Sequence, residues 1–158
     1  MRTLALLFSF IWVSTTYAGP SETPAPQPSE TPAPQPSITT LKAAPERQVP
    51  SGKARIKTLA QGEKAFVGQL WLAPGASVPQ HRDASEEYIY VVSGSGELTI
   101  NGQTSKIGPG TMVFMPAGAE VSYKNGSAPL VALQIFAGPE SAAKYAGWPA
   151  REPTQAAP

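Results

Sequence analysis

The chain holds a single histidine, His81, with Asp83 two residues on and Glu87 six residues on. The three positions share one parity, so an uninterrupted strand would carry their side chains on one face. An imidazole and two carboxylates that converge could hold one divalent ion, with open positions left for a substrate or oxygen. Such a donor set is hard and favours Mn²⁺, Fe²⁺ or Mg²⁺ over copper or zinc. The same residues fit a simpler arrangement, in which His81 pairs with Asp83 or Glu87 and the carboxylate tunes its titration. Glu86 has the opposite parity and is expected to face solvent or a neighbouring strand. No motif sets a serine nucleophile beside His81 and Asp83, so a serine triad is excluded. The absence of cysteine excludes a disulfide framework, a zinc ribbon, an iron–sulfur centre and a thiol nucleophile.

Residues 51–148 must supply the elements that position these side chains. Short runs rich in β-branched and aromatic residues recur there: Ala54–Leu59, Ala65–Leu72, Glu87–Val92, Glu97–Ile100, Gln103–Ile107, Met112–Met115, Glu120–Lys124 and Leu130–Phe136. Between them stand Pro74-Gly75, Ser93-Gly94-Ser95-Gly96, Asn101-Gly102, Pro109-Gly110, Pro116-Ala117-Gly118 and Asn125-Gly126. Many short strands with this punctuation predict an all-β sandwich or barrel. Asn101-Gly102 is a two-residue hairpin signal, because both residues tolerate positive φ. Val121 and Tyr123 alternate with Glu120, Ser122 and Lys124, which marks a half-buried antiparallel strand. Residues 88–92 are apolar on both faces, as in a central strand. The aromatics Trp71, Tyr88, Tyr90 and Phe114 are expected in the core or on a subunit-contact surface, with a pocket lining as the alternative. One short helix is expected after Pro139, over Glu140–Tyr145 and ending before Gly147.

The flanks read differently. Arg2 and the apolar run Leu4–Val13, followed by Thr16-Tyr17-Ala18, form the pattern of a secretory signal covering residues 1–18. That run is about half the ~20 residues a spanning helix needs. The expected destination is the periplasm or the exterior, with no membrane association after cleavage. Residues 19–50 hold nine of the 18 prolines and a tandem SETPAPQP repeat, so they are expected to form a disordered, extended linker. Residues 149–158 are expected to be a disordered tail. The 12 Lys and Arg residues almost balance the 11 Asp and Glu residues, and no basic block occurs, which argues against a nucleic-acid partner.

The framework residues of the central segment resemble the cupin family. Gly75, five residues, His81-Arg82-Asp83, three residues, Glu87, six residues and Gly94 are similar to the first motif of that family. Gly110, five residues, Pro116-Ala117-Gly118 and Asn125 are similar to the second. The 15 residues between the motifs match the short bacterial form. The resemblance implies a single jelly-roll barrel over residues 51–148. In metal-binding members three histidines and one glutamate hold a divalent ion inside the barrel. Carried over by position, His81 and Glu87 remain, Asp83 replaces the second histidine, and Val121 replaces the third. Asp is shorter than His, and Val121 puts apolar bulk where a ligand would be.

The expected role is therefore a small-ligand binder in the barrel, for a sugar, organic acid or aromatic molecule, with a degraded metal site. Its candidate binding residues are His81, Glu87, Gln69, Tyr123 and Val121, and Gln134 is a further candidate hydrogen-bonding group. The alternative is a metal-dependent isomerase or dioxygenase with Mn or Fe on His81, Asp83 and Glu87. A third reading is a structural homodimer module. Asn125-Gly126-Ser127 also spells an N-glycan acceptor, although Asn125 already has a turn role.

Overall fold

The computed structural model describes residues 35–151. The signal segment 1–18, nearly all of the repeat and residues 152–158 lie outside the described residues.

The turn signals fall where the chain reverses. Asn101 (φ 48°) and Gly102 (φ 81°) close the hairpin between β6 (Gly96–Ile100) and β7 (Gln103–Ile107), with Ile100 opposite Gln103. Gly94 adopts φ 83°, and a Cβ there would run into the Pro129 carbonyl. Only glycine suits both the dihedral and the close approach.

The strands form two antiparallel sheets. The larger contains β1 (Glu46–Gln48), β2 (Ala54–Gln61), β3 (Phe66–Leu72), β5 (Glu86–Ser93), β8 (Met112–Met115), β10 (Leu130–Ala137) and β11 (Ala150–Arg151). Its order is β11-β1-β2-β3-β10-β5-β8. The smaller joins β4 (Ser77–Arg82) and β9 (Glu120–Asn125) to the hairpin, in the order β4-β9-β6-β7. Both inner faces contribute to one apolar core that includes Leu72, Val91, Leu98, Ile107, Met115, Val121 and Leu130. A second cluster of Ile56, Phe66, Phe136, Ala142 and Tyr145 fixes the helix Glu140–Gly147 against the barrel. This helix is of the tighter 3₁₀ type.

The eight expected strands are present, most with ends shifted by one or two residues. Three were unmarked. The folded part does not begin at residue 51, because Glu46–Gln48 pairs with β2 on one side and with β11 on the other. The expected boundaries of the linker and the tail are corrected accordingly. β1 and β11 are short and polar, so neither carries an alternation to read, and each is held by backbone pairing across the sequence. β4 was hidden by Pro79 and its polar neighbours; it is an edge strand with a register shift between Val78 and His81, where proline is tolerated.

Candidate functional site

Between the sheets lies a cavity of about 480 Å³. Its walls are mostly aliphatic, including Leu70, Leu72, Ile89, Leu98, Met115 and Leu130. Polar side chains also line it: His81 from β4, Glu87 from β5, Gln134 from β10, and Lys144 and Tyr145 from the helix. These residues come from both sheets and from the cap, so barrel closure alone brings them together.

His81 and Glu87 do not lie on one continuous strand. β4 ends at Arg82 in the smaller sheet, and β5 begins at Glu86 in the larger. Asp83-Ala84-Ser85 makes the crossing, so strand parity no longer governs residue 83. Asp83 is absent from the cavity lining, which corrects the expectation that it points inward with the other two. It stands beside them: Lys144 Nζ donates to Asp83 Oδ1 at 2.8 Å and Oδ2 at 3.0 Å, and His81 Nε2 lies 3.4 Å from Oδ2. Burial works against the Asp83 charge, but the bonds from His81 and Lys144 outweigh it and hold the carboxyl below its ordinary range.

His81 Nδ1 lies 2.9 Å from the Pro79 carbonyl, so both ring nitrogens face acceptors. Two acceptors suit the imidazolium, which donates from both positions. The hydrogen bond to Asp83 accordingly raises the His81 pKa, against an opposing effect of burial. Across the strand pair, His81 stands opposite Val121.

Glu87 is 6% exposed and Gln134 is 4% exposed. The Tyr145 hydroxyl donates to Gln134 Oε1 at 2.6 Å, and Gln134 Nε2 donates to Glu87 Oε1 at 2.5 Å. Burial pushes the Glu87 pKa up, and the bond from Gln134 only partly offsets this. Burial likewise pushes the Tyr145 phenol far up, so it remains a hydrogen-bond donor. No buried side-chain nitrogen or oxygen lacks a hydrogen-bond partner among the described residues.

Of the expected binding residues, His81, Glu87, Val121 and Tyr123 line the cavity. Gln69 does not. Leu70 and Leu72 hold the inward parity of β3, and Gln69 follows the other one with Trp71. The glutamine that does face inward is Gln134, on the buried row Leu130, Ala132, Gln134 and Phe136. Trp71, Tyr88, Tyr90 and Phe114 are also outside the cavity lining. Tyr88 stacks on Phe114 at 5.1 Å, and Tyr90 and Phe114 are exposed. Glu86 is exposed as expected and accepts a bond from the Tyr88 hydroxyl. Asn125 is buried, and its Nδ2 donates to the carbonyls of Leu72, Ala73 and Ala128. It is a fastener between loops, which leaves no access for a glycan.

Lys144 and Tyr145 were missed in the sequence. The helix itself is legible there, and Ala142 and Tyr145 mark its buried side. The pairing of Lys144 with Asp83, 61 positions away, leaves no local trace.

Residues 70–136 match the model of the cupin domain family. A protein of Streptomyces coelicolor, described only as uncharacterised, is 33% identical over 75 residues, which is 48% of this chain and 71% of that protein. This chain belongs to the cupin family. A mannose-1-phosphate guanylyltransferase of Klebsiella pneumoniae is 28% identical over 95 residues, covering 58% of this cupin but 20% of that enzyme. A solved structure from Thermotoga maritima, described as a predicted oxalate decarboxylase, is 26% identical with a TM-score of 0.57. The match covers 65% of this chain and 98% of that one.

Cupins commonly hold divalent metals, but the donors present here do not fit one. Both Asp83 oxygens already accept from an ammonium group, which would also repel a second cation. Glu87 is engaged by Gln134, and aliphatic Val121 stands opposite His81. Among the described residues, no three His, Cys, Asp or Glu side chains group as metal ligands would.

Proposed function

We propose that this cupin is an exported binding protein that takes a small organic ligand into its barrel. The observation that carries the reading is the cavity of about 480 Å³, aliphatic over most of its wall, with the Tyr145–Gln134–Glu87 chain and Lys144 on its lining. A concave, mostly apolar site with a few placed polar groups is the usual form of a small-molecule pocket, typically 300–1,000 Å³. The secretory pattern of residues 1–18 supports export, with a mature chain starting at Gly19.

The test is a thermal-shift screen of small apolar and aromatic compounds against the full chain and its Val121→Trp variant. A compound that binds only the folded state raises the melting temperature. Val121 lines the cavity, so a tryptophan there fills the space a ligand needs. Stabilisation of the natural chain that Val121→Trp abolishes is the expected result. Equal shifts in both proteins would place the binding elsewhere and refute the reading. N-terminal sequencing of the exported protein checks the cleavage after Ala18.

A further inference from the structure

The charges around the cavity are arranged unevenly. Its lining includes two ammonium groups, Lys53 and Lys144, and the imidazole of His81, against a single carboxyl, Glu87. Asp83, the carboxylate paired with Lys144 and His81, is not part of the lining. It supports the ammonium and the imidazole from beside them. Lys144 is anchored further by packing over the Phe136 ring at 4.8 Å. An ammonium has three donors, and two of those on Lys144 go to Asp83. Among the described residues the third has no hydrogen-bond partner, and the side chain lines the cavity. Glu87 sits where burial disfavours its charged form, so it opposes an incoming anion less than a solvated carboxylate would.

We propose that the ligand is a small organic acid: an apolar body occupies the aliphatic wall, and an anionic oxygen group accepts a hydrogen bond from Lys144. This rests on the barrel-binding reading above and deepens it. Asp83 is then a positioning residue, which fixes the ammonium without touching the ligand.

A matched pair of fluorescent probes tests the idea with the full chain. 8-Anilinonaphthalene-1-sulfonate and N-phenyl-1-naphthylamine share one aromatic body, and only the first carries an anionic group. We expect the sulfonate to bind about tenfold more tightly, the scale of one charge-assisted hydrogen bond. Lys144→Met removes that preference and leaves the neutral probe within about twofold. The Asp83→Asn/Lys144→Met pair shows the same loss, which separates the missing ammonium from repulsion by a bare Asp83. Should Lys144→Met fail to fold, the natural chain still decides: added NaCl weakens the sulfonate and spares the amine. Two probes that bind equally, both blocked by Val121→Trp, would overturn this inference while leaving the binding reading intact. A Lys144→Met effect equal on both probes would do the same. Binding that Val121→Trp leaves unchanged, or no binding of either probe, would overturn both.

Discussion

Tyr145→Phe isolates one buried polar bond of the site. The residue is 6% exposed, and its hydroxyl donates to Gln134 Oε1 at 2.6 Å. The ring packs against Phe66 at 5.7 Å and Trp148 at 4.9 Å, contacts a phenylalanine retains. The substitution therefore removes almost no apolar burial. It leaves the Gln134 carbonyl oxygen inside the protein without its donor, while Gln134 Nε2 still holds Glu87. An acceptor stranded in this way costs about 1–3 kcal/mol. With a urea slope of about 1.5 kcal/mol/M, the midpoint falls by about 0.7–2 M at unchanged slope. The assay is equilibrium urea unfolding followed by tryptophan fluorescence. Tyr88→Phe is the control, because its bond to Glu86 lies at the surface, and its effect should stay within about 0.5 kcal/mol. A Tyr145→Phe midpoint indistinguishable from that of Tyr88→Phe would refute the argument that losing this hydroxyl strands a buried acceptor.

Asn125→Ala releases three carbonyls, one buried and two half-buried, and the buried Tyr123 hydroxyl that Asn125 Oδ1 accepts, so it should destabilise by about 2–4 kcal/mol in the same urea assay, more than Tyr145→Phe. The His81–Asp83 pair should give a pH window. The pKa of His81 is raised, so its contribution is present below its ordinary 6.5 and fades as pH climbs through the raised value. That of Asp83 is lowered, so its contribution is present above its ordinary 3.8 and fades as pH falls through the lowered value. The stability gap between the natural chain and Asp83→Asn should thus be widest between those two values; Glu87 and Lys144, the other charged groups nearby, stay in both proteins. A gap that is the same at pH 5 as at pH 2 and at pH 9 contradicts the pairing. On the outer face, Tyr90, Val92, Met112 and Phe114 are exposed beside β8, the edge strand of the larger sheet. An antiparallel edge with apolar flanks is self-complementary about a two-fold axis, so a second copy of this chain is the expected occupant. Light scattering should show a dimer that Phe114→Glu converts to monomer, and a monomeric natural chain would end that expectation.

The legible part of this protein was local. Asn101-Gly102 announced its hairpin because positive φ is a property of those two residues, whatever surrounds them. The alternation of Val121 and Tyr123 with polar neighbours named an inner face, because a strand's pleat has period two. The spaced glycines, Pro116 and Asn125 marked the barrel frame, and His81 and Glu87 marked two points on its cavity. What the sequence could not decide involved distance along the chain. Parity put Asp83 inside with His81 and Glu87, but the strand stops at Arg82 and restarts in the other sheet. Gln69 stood as the binding glutamine, with Gln134 only a further candidate, until pairing of β3 with β10 fixed which parity faced inward. Lys144 meets Asp83 only because the helix caps the barrel, and β1 exists only because β2 and β11 flank it. Near-neighbour sterics set turns and strand faces, and these are written residue by residue. Which charge stands beside which, and what a cavity is lined with, depends on how two sheets and a helix close, and no short stretch of the chain contains that.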